Sequence, residues 1–503
     1  MHTLDGKHVT NWAKNTTLIS TILLIVGCSE GQTNKATTDR LSALLSQGPN
    51  SEDLARSEER LDIALNRDNA TGSLDDRFDT DVASDGTPQT LNALFALALE
   101  RNSDIGSAAQ ALNRAEISRM NAIYGYLPQV SASVTYSEIE QEVVQTDNEV
   151  FAEGSANFPV TNISVELVQP IFNLSRIFGI QLQNTARTVA EVEYIAAVQQ
   201  AMYDTFDTYV TAMQSKARAR SLQQRISLIA RQIANEDTLS DIGLQTGTLR
   251  NSYAAERATL ASEQALESAR FDSALSDLAF LTGSAVTDIE SITIPTSILR
   301  SERNTTVAAG IAAAEADNPA LLATAISVVE AELGRKQAIA ADFVPVLNAF
   351  AQYEDETREG SRFGGGSQTI DKTYGVRLTI PIFNADGQGY QSGLESVDLR
   401  SAALEYYAIR RQLQTQITAT HARMTELSSA IAQSSSAASR AAANVRLETD
   451  RLETGETVDV AVVSRQLAQS SARETLEFQR FEYLRAWGRY QHLTGAALST
   501  SGL

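Results

Sequence analysis

The sequence has 503 residues and a formal net charge of −21, with 41 Lys and Arg against 62 Asp and Glu. That balance excludes the clustered basic surface a nucleic-acid partner requires and describes a solvated acidic surface instead. Aromatic residues are only 6% of the chain, while Ala, Ser, Gln and Glu are plentiful, which suits long, closely packed helices better than a thick globular core.

Lys7 and Lys14 precede a short apolar run, Leu18 to Val26, which ends at Gly27 and the single cysteine, Cys28. A basic start, a short apolar core and a small residue at the cut predict a signal peptide over residues 1–27. The run is too short to span a bilayer as a helix. One cysteine permits no intramolecular disulfide. Ile25-Val26-Gly27-Cys28 resembles a bacterial lipobox, which implies acylation of Cys28 as the new N-terminus. Ser29 then implies, by resemblance to Gram-negative lipoproteins, sorting to the outer membrane. The other reading is an ordinary signal peptide with an incidental cysteine. Residues 28–88 are polar and read as a tether or arm, with a short helix near 54–65.

From Thr90 apolar residues recur three and four apart (Leu91, Leu94, Phe95, Ala98, Ile105, Leu112), predicting one helix to about Tyr126. Leu127-Pro128 stops it. Strands are expected over about 129–143 and 160–170, the first with Val130, Ala132, Val134 and Tyr136 on one face and Gln129, Ser131, Ser133 and Thr135 on the other. Pro170 lacks a backbone donor and is expected to end the second strand. A helix over 174–241 follows, about 68 residues and so roughly 100 Å long. Gly243, Leu244 and Gly247 mark a turn, a return helix spans 249–281, and Thr282-Gly283 caps it.

The order then repeats. A helix runs from about 307 to 341, interrupted at Asn318-Pro319, and Val344-Pro345 matches Leu127-Pro128. Strands are expected over 346–356 and 372–381, the latter ended by Pro381, with Tyr374, Val376, Leu378 and Ile380 on one face. A long helix over 386–453 leads to the turn at Leu452 and Gly455, and a return helix spans 458–494. His492-Leu-Thr-Gly495 matches Phe280-Leu-Thr-Gly283. Matching landmarks in one order, about 210 residues apart, identify a duplication. Its copies are 89–295 and 296–498, with a tail at 499–503.

Four two-faced strands have the length and pattern of outer-membrane β-strands, or of a soluble sheet wet on one side. The export signal, the duplication and the helix lengths favour the first. In lipid a sheet must close, and four strands cannot close alone. Two chains would give eight strands and a filled interior; three would give about twelve and an open lumen. The expected fold class is therefore mainly α with a membrane β-barrel, a duplicated unit of long helical hairpins plus two strands. A homotrimer would build a 12-stranded barrel continuous with a periplasmic α-helical tunnel.

The doubled order of helix, Leu127-Pro128-Gln129-Val130, Val168-Gln169-Pro170-Ile171-Phe172-Asn173 and long hairpin resembles the TolC-like outer-membrane efflux proteins. Leu97 to Ile105 and Ile380 to Asn384 are similar to that family as well, and the resemblance covers about residues 88–497. It implies a trimeric outer-membrane channel that conducts passively. A periplasmic adaptor and an inner-membrane transporter would be its partners, in an efflux or type I secretion system. It also implies adaptor contact at Gly243, Leu244, Gly247, Leu452 and Gly455, and an acidic ring just past the second turn. A gapless match puts Ala461 and Ser464 at the acidic places, with Asp459 nearby as the candidate constriction. As a residue at a helix N-terminus, Asp459 is also favoured simply by the helix dipole.

No catalytic, metal or cofactor constellation is present in the sequence. His2, His8, His421 and His492 are scattered without ligand spacing. The Gly-rich stretch from Phe363 to Ser367 sits between strands and lacks the helix and Lys of a phosphate loop. The competing function is a periplasmic coiled-coil adaptor or structural lipoprotein without a pore, which would need no lipid-facing band.

Overall fold

The computed structural model describes residues 87–145, 154–241, 248–292, 294–360, 366–382, 389–496 and 498. The signal peptide, Cys28 and nearly all of the arm lie outside the described residues, as do Gly243, Leu244, Gly247 and the tail at 499–503. Two helices, α1 (Leu91–Arg101) and α2 (Ser103–Tyr124), precede the antiparallel strands β1 (Gln129–Val143) and β2 (Gly154–Phe172). The first long hairpin is α3 (Leu174–Asp241) with α4 (Thr248–Thr282). A 3-10 turn (Ile298–Asn304) leads to α5 (Val307–Asp317), α6 (Pro319–Phe343), β3 (Val346–Arg358) and β4 (Ser367–Thr379). The second long hairpin is α7 (Tyr390–Glu453) with α8 (Asp459–Leu493).

The chain divides into two compact units, and each draws on both copies of the repeat. The sheet unit combines Asp104–Ala197 with Pro319–Gln412. The helical unit combines the chain up to Ser103 with Val198–Asn318 and Leu413 onward. In the sheet unit the four strands form one meander in the order β1-β2-β3-β4, antiparallel throughout. The pairing of β2 with β3 joins the two hairpins of the duplication edge to edge.

Three local expectations are corrected. The strand through Pro170 does not stop there: β2 continues to Phe172, with a bulge between Pro170 and Phe172 against β3. The missing donor costs nothing on the other side, because β1 begins at Gln129 opposite Val168 and offers no partner that far along. β2 also starts earlier than expected, at Gly154. Finally, the single helix expected over 90–126 breaks at Asn102.

That break is half of a symmetric device in the helical unit. Thr90 caps α1 by accepting from the Ala93 amide (3.2 Å), and Thr306 caps α5 by accepting from the Ala309 amide (3.1 Å). Both short helices end on a buried Asn. The Asn102 side-chain amide donates to the Leu281 carbonyl at 3.2 Å, and that of Asn318 donates to the Leu493 carbonyl at 3.1 Å. Each accepting carbonyl lies at the end of a return helix, followed by a Thr and by a Gly with positive φ (Gly283 at 58°, Gly495 at 75°). The Thr282 and Thr494 hydroxyls donate back to the Leu278 and Tyr490 carbonyls. A side chain at Gly283 would place its Cβ 3.0 Å from that of Arg101, so glycine serves both conformation and space there.

In the helical unit α3 and α8 run antiparallel. Tyr203 meets His492, Thr211 accepts from Arg485, Ser221 donates to Glu474 and Arg231 meets Asp459, so numbers rise on one helix as they fall on the other. Phe206 packs edge-on to Trp487 at 6.1 Å, and Leu222 and Ile229 of α3 close on Leu260 of α4 with Leu467 of α8 beside them.

Replacing Asn102 or Asn318 by Ala leaves a buried carbonyl without its donor. Each change is expected to lower stability by about 1–3 kcal/mol. Thermal unfolding in mild detergent reads this; melting temperatures unchanged in both variants would show that the two amides do not clamp the repeat.

Candidate functional site

Two features stand apart from ordinary packing: the sheet, and the turn that ends the second long hairpin. The strand register decides the sheet's chemistry. Val130 lies opposite Leu167, Leu167 opposite Ala351, and Ala351 opposite Tyr374. The next rows on that face are Gln169, Ala349 and Val376, then Phe172, Leu347 and Leu378; on the other side lie Ala132, Val165, Tyr353 and Lys372, then Val134, Ile163, Asp355 and Ile370. One face is therefore largely apolar across all four strands. Val130, Val134, Tyr136, Tyr374, Val376 and Leu378 are all more than half exposed, with Tyr374 at 84%. From Leu378 to Ile370 the band is about 27 Å tall at the rise of a strand. Lys372 and Asp355 lie within that span, and beyond Tyr136 the carboxylates of Glu138, Glu140 and Glu142 mark its charged end.

The opposite face is polar across its middle rows, with Val168 and Phe350 at one end and the buried Ala156, Phe158 and Val160 at the other. Those middle rows are Ser131, Glu166, Gln352 and Thr373, then Ser133, Ser164, Glu354 and Asp371, then Thr135, Asn162, Glu356 and Thr369. The Ser133 and Ser164 hydroxyls lie 2.8 Å apart, and the Asn162 amide donates to the Glu354 carboxylate. Arg377 lies over the Phe350 ring, 4.9 Å from its centroid, and Gly375 leaves room for that ring. Within the described chain β1 and β4 each pair on one side only, so both sheet edges present open backbone donors and acceptors.

The four prolines frame these strands: Pro128 and Pro345 stand immediately before β1 and β3, Pro381 two residues after β4, and Pro170 inside the end of β2.

At the second turn the Gly455 amide donates to the Leu452 carbonyl (3.1 Å) and the Glu456 amide to the Arg451 carbonyl (2.8 Å). With φ at 77°, Gly455 closes a Schellman-type end to α7. Asp459 opens α8, where its charge meets the positive end of the helix. It is also held from α3: Nε and Nη2 of Arg231 donate to its carboxylate, Nε at 2.9 Å, and the Asn235 amide donates at 2.9 Å. One residue along each helix, the Gln232 amide donates to the Val460 carbonyl at 3.1 Å. Ala461 and Ser464 make no comparable contact with α3 among the described residues. Sequence reasoning found Asp459 but missed Arg231 and Asn235; their spacing of four residues, one helix face, was the only signal.

A cleft of about 700 Å³ in the sheet unit is lined by Glu330, Glu395, Asp398 and Glu405 with no basic side chain, and burial, assisted by nearby Glu193, pushes the Glu330 carboxyl up. Among the described residues no cluster of His, Cys, Asp and Glu could hold a metal ion, and no helix is long and apolar enough to cross a membrane. Arg335 and Lys336 both pair with Glu332.

With this geometry, solved structures give a consistent comparison. The outer membrane protein VceC of Vibrio cholerae superposes with a TM-score of 0.63 at 15% identity, over 81% of this chain and 97% of that one. The CmeC outer membrane channel of Campylobacter jejuni gives 0.62 at 16% identity, over 82% and 86%. The chain has the fold of these outer membrane channels. The MtrE outer membrane channel of Neisseria gonorrhoeae, solved in its open state, gives 0.61 at 14% identity over 82% and 90%. No protein-family profile and no curated sequence matches the chain. The fold agrees with the TolC-like resemblance of the sequence.

Arg231 and Asp459 are both partly exposed, with side chains 49% and 28% accessible, so their ion pair is worth little in overall stability. Arg231→Ala is expected to change stability by less than about 1 kcal/mol. It is also expected to raise amide exchange locally over the first turn of α8. Exchange unchanged there would show that Asp459 is held by its own helix end alone.

Proposed function

We propose that the chain is one subunit of a trimeric export channel of the Gram-negative outer membrane. The observation that carries this is the sheet: an exposed apolar face, a polar opposite face and two open edges. A four-stranded sheet in lipid must pair its edges with other copies, and three copies give about twelve strands around an open lumen. The apolar face then meets lipid and the polar face lines the passage. The helical hairpins form a tunnel in the periplasm. Conduction is passive, with energy supplied by an inner-membrane transporter reached through a periplasmic adaptor, in an efflux or type I secretion system. On this reading Gly243, Leu244, Gly247, Leu452 and Gly455 contact the adaptor and Asp459 borders the closed end. Cys28 carries the lipid anchor after removal of residues 1–27. A pore-free periplasmic adaptor gains no support from an apolar band of this height.

Native mass of protein extracted from outer membranes in mild detergent is expected to show three chains, with lipid mass on Cys28, and planar-bilayer recording is expected to show conductance. A monomer without conductance under several gentle extraction conditions would sink the channel reading. Val376→Arg is expected to cost about 2–4 kcal/mol in assembly, as for a charge facing the bilayer interior. Thr373→Arg, on the polar face, is expected to assemble normally. Equal behaviour of the two would reverse or remove the assignment of faces.

A further inference from the structure

The two repeat junctions share their Asn, Leu, Thr and Gly but differ at the position before the Leu. Before Leu281 stands Phe280, which is 79% exposed; before Leu493 stands His492, which turns inward. Its ring stacks on Tyr203 of α3, with centroids 4.7 Å apart and planes inclined by 20°. Its Nδ1 is buried and has no hydrogen-bond partner among the described residues. The charged groups facing it are Asp204 from α3 and Arg489 from α8, and Asp207 and Arg485 stand beside Tyr203. Both carboxylates have other partners: Asp204 accepts from the Gln200 amide at 2.8 Å, and Asp207 lies 3.8 Å from the Arg485 guanidinium. Arg489 has the same sign as an imidazolium. A protonated ring needs acceptors for both nitrogens, and among the described residues this site offers none at Nδ1.

We propose that His492 makes the second-repeat junction acid-sensitive. Its protonation unstacks the ring from Tyr203 and loosens the α3–α8 seam beside Leu493 and Gly495, while the Phe280 junction is unaffected. Burial holds the imidazole below the usual histidine range, with Asp204 opposing and Arg489 adding to that shift. The folded state therefore favours the neutral ring. The seam's stability is fully present above the unfolded value of about 6.5 and is lost as pH falls below it. This holds whether or not the chain is a channel.

Hydrogen exchange of the full-length protein in mild detergent at about pH 7.5 and about pH 5 tests it, after correction for intrinsic rates. Acid is expected to increase opening several-fold over residues 488–495 and not over 276–283. His492→Phe, which installs the residue of the first copy, is expected to abolish the increase. An equal response at the two junctions overturns the proposal, as does an acid response that persists in His492→Phe. The comparison of junctions within the unaltered protein needs no variant, so a flat response there overturns it even if His492→Phe does not fold.

Discussion

Backbone hydrogen bonding at the two open sheet edges constrains everything else in the sheet unit. Soluble proteins blunt such edges with inward charges, prolines or short strands. Here β1 runs for 15 residues and β4 for 13, regular and free of proline. The single irregularity of the ladders lies at Pro170, between β2 and β3 and away from either edge. On the proposed reading other strands complete these long, regular edges and lipid covers the exposed apolar face. The polar face follows from the same alternation, because a residue and its neighbour must point opposite ways.

The helical unit depends on a different constraint, the ends of its helices. A helix leaves carbonyls without partners at its C-terminus. At both return helices one of these carbonyls is taken by an Asn from the short helix of the same repeat, and a glycine then turns the chain. The device appears twice with the same residue types. It fixes where α1 hands over to α2 and α5 to α6, and so where the chain passes from one unit to the other. Before the accepting Leu the first copy has Phe280 and the second His492, and of these two only the His can take up a proton, which is why acid would distinguish the two joints.

Along the α3–α8 seam, charges set register more than strength. Arg231 with Asp459, Arg225 with Glu474 and Arg485 with Asp207 recur along the seam, most of them partly exposed. Individually such pairs add little. Together they penalise any slip of one helix along the other, since a shift would set unlike partners apart. The apolar contacts of α3, Phe206 with Trp487 of α8 and Leu222 and Ile229 with Leu260 of α4, supply the larger share of burial.

The sequence by itself determined what has a short period. Alternation over two residues assigned the faces of β1 and β4, spacing of three and four assigned the helices, and the span of α3 was legible because no proline or internal glycine interrupts it after Gly179. The recurrence of Leu-Thr-Gly and of Pro-Ile-Phe revealed the duplication. The tertiary structure decided what rests on distant partners. The break at Asn102 has no proline to announce it and exists because a carbonyl 179 residues away accepts the Asn amide. Pro170 stays in its strand because β1 happens to begin two residues short of it. Arg231 gained its role from an aspartate 228 residues along the chain. The inward turn of His492 came from Tyr203 on α3. Local periodicity records which face a residue occupies, but only the packed chain specifies what stands opposite that face.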